Sequence, residues 1–548
     1  MIEIESYLLT NNLVVAFLLL STIILYAEIH YKPRFLRGIL YRKQPEIIFD
    51  IPQRIETDFL PVALIIKDSQ KFPIEIHNIR IDIFAEGRKV ATHQFQEQQN
   101  ISTLFYNKLY TINISEFSGS RLKVKCHLKC HINNKEHTIV NNNYPFMKNK
   151  QLQIFIDSDK RPALLGWKWG DLHCHSHYTE DQVEFGLPLE LIPPVSSAMG
   201  ISFVAITDHS YDLDDAPDSW TGSDPELTKW HNMRREIKKI NTEYNNFLLL
   251  PGEEVSTDNG DGKTVHMLII NAQKYYPGSG DSFENGVFQN SELNHEQILA
   301  ELPADALAIA AHPFEKPSGI QSFFLKRGIW NSKNGHPKLS GYQILNGKQM
   351  SGFRQGKKEW IKKLLQQNKK YIYAGNDSHG FLNKFISVNA PLLSLNNSQR
   401  HIFGEMLTAV KNTNNEIDNL IKGLKTNPVI ISNGPALEIS IFRHSPSNQY
   451  AEIGGTLNNR PDRIRIKAES NPYFGKINRI ENYISDYSSQ KEHLINTFKY
   501  NGYNFDKEIS ITNLPEKGYI RSVVKTTKDK FALTNPVWFN IHHKNQSQ

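Results

Sequence analysis

An α/β protein with a central β/α barrel, set between two β-sandwich-like domains and behind one membrane helix, is the fold class this sequence predicts. Three observations predict it. An uncharged apolar run stands near the amino terminus. Period-two alternation fills the stretches before residue 160 and after residue 426. Between them, short apolar strands alternate with helical stretches, and each strand ends in ionisable residues. At 548 residues the chain is too long for one core, which fits several domains.

The apolar run is Leu13 to Ala27. With Tyr7, Leu8 and Leu9 it approaches the roughly 20 residues that a bilayer requires. Tyr7, Tyr26 and Tyr31 stand where interfacial aromatics would. Glu3 and Glu5 precede the run, whereas a cleaved leader would begin with basic residues. Lys32, Arg34, Arg37, Arg42 and Lys43 follow it, which predicts a single-pass protein of the cell membrane with its large carboxy-terminal part facing the cytoplasm. Residues 1–43 are therefore read as an anchor and its basic flank.

Residues 44–160 read as a β-sandwich domain: "IEIHNIRIDIFAEG" and "RLKVKCHLKCHI" alternate between apolar and polar positions. "KCHLKCH" holds Cys126, His127, Cys130 and His131, residue types that bind zinc, but the alternation sends the cysteines to one face and the histidines to the other. With Cys174 these are the only cysteines, too few and odd in number for a disulfide framework. Residues 161–425 read as the barrel, whose strands are "SFVAIT", "FLLLPGEE", "TVHMLII", "ALAIAAHP", "YQILNG" and "KYIYAGND", with helices such as "EWIKKLLQQN" between them. Residues 426–548 return to strands and form the carboxy-terminal β domain. A net charge of +6 over this length makes nucleic acid an improbable partner.

Acids and histidines gather at the strand ends: His173 and His175 in "DLHCHS", Asp208 and His209 in "ITDHS", Glu253 and Glu254 in "PGEEVST", His266 in "VHML", His312 in "AAHPF", and Asp377 and His379 in "GNDSH". Two residues spaced i, i+2 at a strand end point the same way, so His173 with His175, and Asp377 with His379, converge on one point. So many buried ionisable groups are costly unless cations bind them. A multinuclear metal site meets that requirement at once.

In this set of motifs, in this order, the chain resembles the polymerase and histidinol phosphatase (PHP) metallohydrolases over residues 168 to 391. The resemblance implies a distorted (β/α)7 barrel and two or three divalent ions, with manganese, zinc and iron all suited to such ligands. It implies that His173, His175, Glu254 and Asp377 hold one metal. Glu254 bridges to a second, held also by His266 and His312. A third takes His209, His379 and an acid of "YTED". Either Glu180 or Asp181 can be that acid, and Asp181 is the reading adopted. His177 is expected to line the site, Cys174 to face the core, and Asp171 and Asp208 to orient ligands from behind. "YTEDQVEFG" and the flanking β domains resemble a branch that contains carbamate-ester hydrolases.

The expected reaction is phosphoester hydrolysis by a metal-bridging hydroxide, on a small phosphorylated substrate, with His177, His209 and His379 as candidates for proton transfer. Carboxyl-ester, carbamate or amide hydrolysis at the same site is the alternative. Lys348 and Arg354 are candidate anion contacts.

Overall fold

Alternation along "RLKVKCHLKCHI" gives the amino-terminal sheets their form. In the strand Arg121–Ile132, residues Leu122, Val124, Cys126, Leu128, Cys130 and Ile132 are all buried, while the lysines and histidines between them face outward. A computed structural model describes residues 44–143, 151–179, 186–216, 222–282, 288–330, 336–383, 385–389, 394–398, 401–411, 414–444 and 449–540. Within it, a three-stranded sheet (Glu46–Asp50, Phe59–Lys67, Phe105–Asn113) and a six-stranded sheet built around Ile74–Ala85 and Arg121–Ile132 enclose a common apolar core. All three cysteines are buried and unpaired.

The central strands run in the order Tyr371–Gly375, Leu339–Asn346, Leu307–Ala310, Thr264–Ile270, Leu248–Asp258, Phe203–Ile206, Trp167–Cys174. Most are buried along their whole length, because helices and further sheets cover both faces. The helices Thr228–Glu243 and Met350–Leu365 pack on Leu248–Asp258 and Leu339–Asn346 respectively.

The distorted (β/α)7 barrel flanked by β domains, expected from the sequence, is not what the structure shows. Strands dominate the described residues, thirty against seven α-helices. Leu248–Asp258 and Thr264–Ile270 pair antiparallel, with Asp258 opposite Thr264, so no crossover helix lies between them. Thr264–Ile270 and Leu307–Ala310 are antiparallel too. Nor does the ring close by a strand ladder among the described residues. The open edge of Tyr371–Gly375 is capped by side chains instead. Thr408 Oγ1 accepts from Ala374 N–H at 2.8 Å and donates to Ala374 O at 2.9 Å. Asn535 accepts from Ile372 N–H at 2.8 Å and donates to Ile372 O at 3.2 Å. These groups satisfy an edge that a barrel would satisfy by pairing. The other end of the run, Trp167–Cys174, continues through Leu407–Lys411, Val429–Ser432 and Phe531–Thr534 into the carboxy-terminal strands. The result is one fifteen-stranded mixed sheet that crosses the expected boundary at residue 425.

The membrane expectation is corrected as well. The run from Leu13 to Ala27 lies outside the described residues, and no described helix is long and apolar enough to cross a membrane. The expected transmembrane helix and single-pass placement in the cell membrane thus have no support among the described residues.

Candidate metal centre

The two ends of the central run meet only at their tips. Asp377 N–H donates to His173 O at 2.8 Å and His175 N–H to Ser378 O at 2.8 Å. Gly375 makes this approach possible, because a Cβ there would stand 2.7 Å from His173 Cβ. Asp377 (φ 52°) and His312 (φ 28°) both hold left-handed backbone, which costs free energy and is characteristic of functional sites.

Around that seam the strand tips bring together eight of the predicted ligands. Glu254 is at the middle, fully buried. Its Oε2 lies 3.1 Å from His173 Nε2, 3.4 Å from His175 Nε2 and 3.3 Å from His209 Nδ1. Its Oε1 lies 2.7 Å from His266 Nδ1 and 3.1 Å from His312 Nε2. Asp377 Oδ1 is 3.3 Å from His173 Nε2, 3.2 Å from His175 Nε2 and 3.5 Å from His379 Nε2. His379 stacks on His175 with ring centroids 4.0 Å apart. Three overlapping groups have mutually adjacent donor atoms: His173, His175, Glu254 and Asp377; His175, His209 and His379; His209, Glu254 and His266.

This donor set fits divalent cations. Two carboxylates among six imidazoles present nitrogen and oxygen atoms to shared points. His173 Nε2 and His175 Nε2 are 3.2 Å apart, close to the roughly 3.3 Å expected of two ligands with bonds of ~2.0–2.1 Å at a tetrahedral angle. Burial works against charge on Glu254, yet the imidazoles of His173, His266 and His209 hold its carboxylate well below the usual range. Burial likewise opposes charge on Asp377, and His173 with hydrogen bonds from His175 and His379 holds it low. Against its own desolvation, His173 is pushed up to about 9 by Glu254 and Asp377. The pocket thus concentrates negative charge that protons or metal ions must balance.

Partners behind the ligands fix their tautomers. His173 Nδ1 meets Gln343 Oε1 at 2.9 Å, leaving Nε2 for the cluster. His266 Nε2 meets Asp281 Oδ2 at 2.9 Å, leaving Nδ1 turned to Glu254. Neither partner was read from the sequence. Asp281 is a single acid in the stretch "GSGDS", and Gln343 lies inside an apolar strand. The roles expected of Asp171 and Asp208 are corrected accordingly. Asp171 accepts from the backbone N–H groups of His173, Asn376 and Gly404 and from the Asn376 amide. Asp208 accepts from Ser176 N–H and Oγ. Among the described residues neither carboxylate meets an imidazole nitrogen: Asp171 holds backbone, including that of His173 itself, and Asp208 holds Ser176.

His177 does not join the cluster. Its ring packs against Phe105 and Tyr178, its Nε2 is 4.0 Å from Glu236, and burial pulls its pKa down to about 4. The alternation that made it a neighbour of His175 fails because the strand ends at Cys174 and a 3-10 turn begins at His177. Asp181, with Glu180, lies outside the described residues. Cys174 sits in the apolar core. Glu253 points away from Glu254, accepting from Tyr276 N–H at 3.1 Å, and burial pushes its carboxyl well above the usual range.

A cavity of about 310 Å³ opens onto the cluster, lined among others by His266, His312, Asp377, Arg327, Lys316 and Gln349. Arg327 Nε is 2.9 Å from Asp281 Oδ2, and its Nη2 is 2.8 Å from His266 Nε2. Burial lowers the guanidinium to about 10, opposed by Asp377, so it remains cationic at neutral pH. No motif marked Arg327 or Lys316. The residues read as anion contacts lie elsewhere: Lys348 pairs with Glu405 at 2.8 Å, and Arg354 is exposed on its helix.

No family model matches the chain, and no curated protein matches it. Among solved structures it is similar to Bacteroides uniformis beta-glucuronidase 2 covalently bound to cyclophellitol-6-carboxylate aziridine, at 10% identity and TM-score 0.18, with 92% of this chain and 62% of that chain covered. It is also similar to a putative beta-galactosidase from Bacteroides fragilis, at 10% identity and TM-score 0.20, with 91% and 74% covered. The chain spans about three fifths of the length of the first of these. Likeness at such TM-scores carries no argument about architecture or chemistry.

Proposed function

We propose that this chain is a metal-dependent hydrolase of the PHP kind that cleaves a phosphoester on a small anionic molecule. Glu254 carries the reading. One buried carboxylate turns one oxygen to His173, His175 and His209 and the other to His266 and His312, the arrangement of a ligand shared between neighbouring cations. When bound, two or three manganese, zinc or iron ions supply Lewis acidity and lower the pKa of water at the site.

The chain's own residues supply the rest. His173, His175, Glu254 and Asp377 would hold one ion and His266 and His312 would serve the next, with His209 and His379 beside them. Arg327 and Lys316 present positive charge to an anionic group in the cavity. His209 and His379 are the histidines of the cluster suited to hand a proton to a leaving oxygen.

The test is metal analysis of the purified chain together with turnover of manganese- or zinc-loaded protein on a chromogenic phosphodiester, phosphomonoester and carboxyl ester. Preference for a phosphoester is expected. Exclusive turnover of the carboxyl ester would instead favour carbamate, ester or amide hydrolysis. His312→Ala should abolish turnover and leave circular dichroism and the unfolding midpoint nearly unchanged, and wild-type turnover in that variant sinks the assignment.

A further inference from the structure

We propose that Glu75, His77 and His131 form a second transition-metal site, on the outer face of the amino-terminal six-stranded sheet and independent of the central cluster. His77 lies on Ile74–Ala85 and His131 on the neighbouring Arg121–Ile132. Against Arg121–Ile132 the register shifts between Ile76 and Asn78, with Ile76 opposite Cys130 and Asn78 opposite Lys129, so His77 is the extra residue of a β-bulge in that ladder. A bulge re-aims a side chain that regular pleating would direct elsewhere. Here it brings His77 Nε2 to 2.7 Å from His131 Nδ1, with the rings meeting edge to face at 81°. Glu75 stands directly opposite His131 in the ladder, and its Oε2 is 3.5 Å from His131 Nδ1 and 3.8 Å from His77 Nε2. On the other side of His131, Glu136 is its register partner across the Lys135–Val140 strand.

Two imidazole nitrogens and a carboxylate oxygen facing one point match borderline divalent ions such as zinc, nickel and copper. The two nitrogens now stand at hydrogen-bond distance. An ion with bonds of ~2.0–2.1 Å needs them about 3.3 Å apart. Both side chains are about a third or more exposed and can open by that amount. The face is open to water, which fills the remaining coordination positions. The two nearby cysteines play no part, because they are buried on the opposite face of the same strand.

The test titrates the full chain, its central cluster already loaded, with zinc by calorimetry and with copper(II) by electron paramagnetic resonance. The wild type should take up one further equivalent with micromolar or tighter affinity, with nitrogen hyperfine structure from two imidazoles. His131→Ala and His77→Gln should each weaken that binding at least tenfold, remove one nitrogen from the spectrum and leave turnover unchanged. Equal uptake by the wild type and the double variant, or binding only at millimolar zinc, an adventitious ion, overturns the proposal. Glu254→Gln should keep the outer equivalent, so failure here is separable from failure of the central reading.

Discussion

Two groups of histidines in this molecule are built by opposite devices. The central cluster takes side chains from six strands and the turns that follow them and buries them, so that Glu254, His173 and His175 have no exposed surface. The outer pair, His77 with His131, arises within one sheet from a single inserted residue and stays wet. Burial is the difference that matters. Ionisable groups removed from water are costly unless compensated, so the central set must be balanced within the protein, by its own ion pairs and by partners such as Gln343 and Asp281 or, in the proposed reading, by bound ions. The outer pair has water as an alternative partner, so ion binding there can be gained or lost without disturbing the fold.

The largest way to break this comparison is Glu254→Gln. Losing a partner behind a metal ligand commonly costs ~10–100-fold in metal affinity or activity. Removing the charge that two ligand groups share should cost more, over about 100-fold in turnover, with metal content falling in parallel. Retention of full metal content and turnover would show that the carboxylate is a structural ion pair. Arg327→Ala comes next. A hydrogen bond to a charged group contributes ~1.5–3 kcal/mol, so KM for an anionic substrate should rise about tenfold or more with kcat less affected. An unchanged KM would place the anion elsewhere in the cavity.

Asn535→Ala probes the open sheet edge beside the cluster. It leaves Ile372 N–H and C=O without their partner, and an unsatisfied buried group costs ~1–3 kcal/mol. Urea unfolding should report a loss of that size while turnover per folded molecule stays close to wild type. No loss of stability would mean that the edge is satisfied in another way.

The cluster residues were legible because most stand at or just past the end of an apolar strand, where a two-residue period sets direction, although Glu254 and His266 lie within theirs. "HCH" and "DSH" therefore reveal their convergence without any knowledge of the fold. Glu254 was told from Glu253 only by what the family resemblance implies. Asp281, Gln343 and Arg327 were not legible, since each is a single polar residue whose role exists only once distant loops meet. His177 misled because the period was carried past the end of its strand. Helices such as Met350–Leu365 between apolar strands implied a closed barrel. An apolar run carries no direction, however, so the antiparallel pairing of Leu248–Asp258 with Thr264–Ile270 was invisible, as was the capping of Tyr371–Gly375 by Thr408 and Asn535.

The smallest effect sharpens the comparison most. In the Glu254→Gln background, which disables the central cluster, any zinc-linked stabilisation must come from elsewhere. An ion that binds only the folded chain stabilises it by RT ln(1 + [L]/Kd), about 2.7 kcal/mol at a hundredfold excess over Kd. Zinc should therefore raise the unfolding midpoint of that variant. Adding His131→Ala should remove the rise while changing the metal-free midpoint little, since exposed substitutions usually stay within ~0.5 kcal/mol. A rise that survives His131→Ala would move the ion away from the bulge. A large loss in the metal-free protein would instead make the contact between His77 and His131 a structural hydrogen bond.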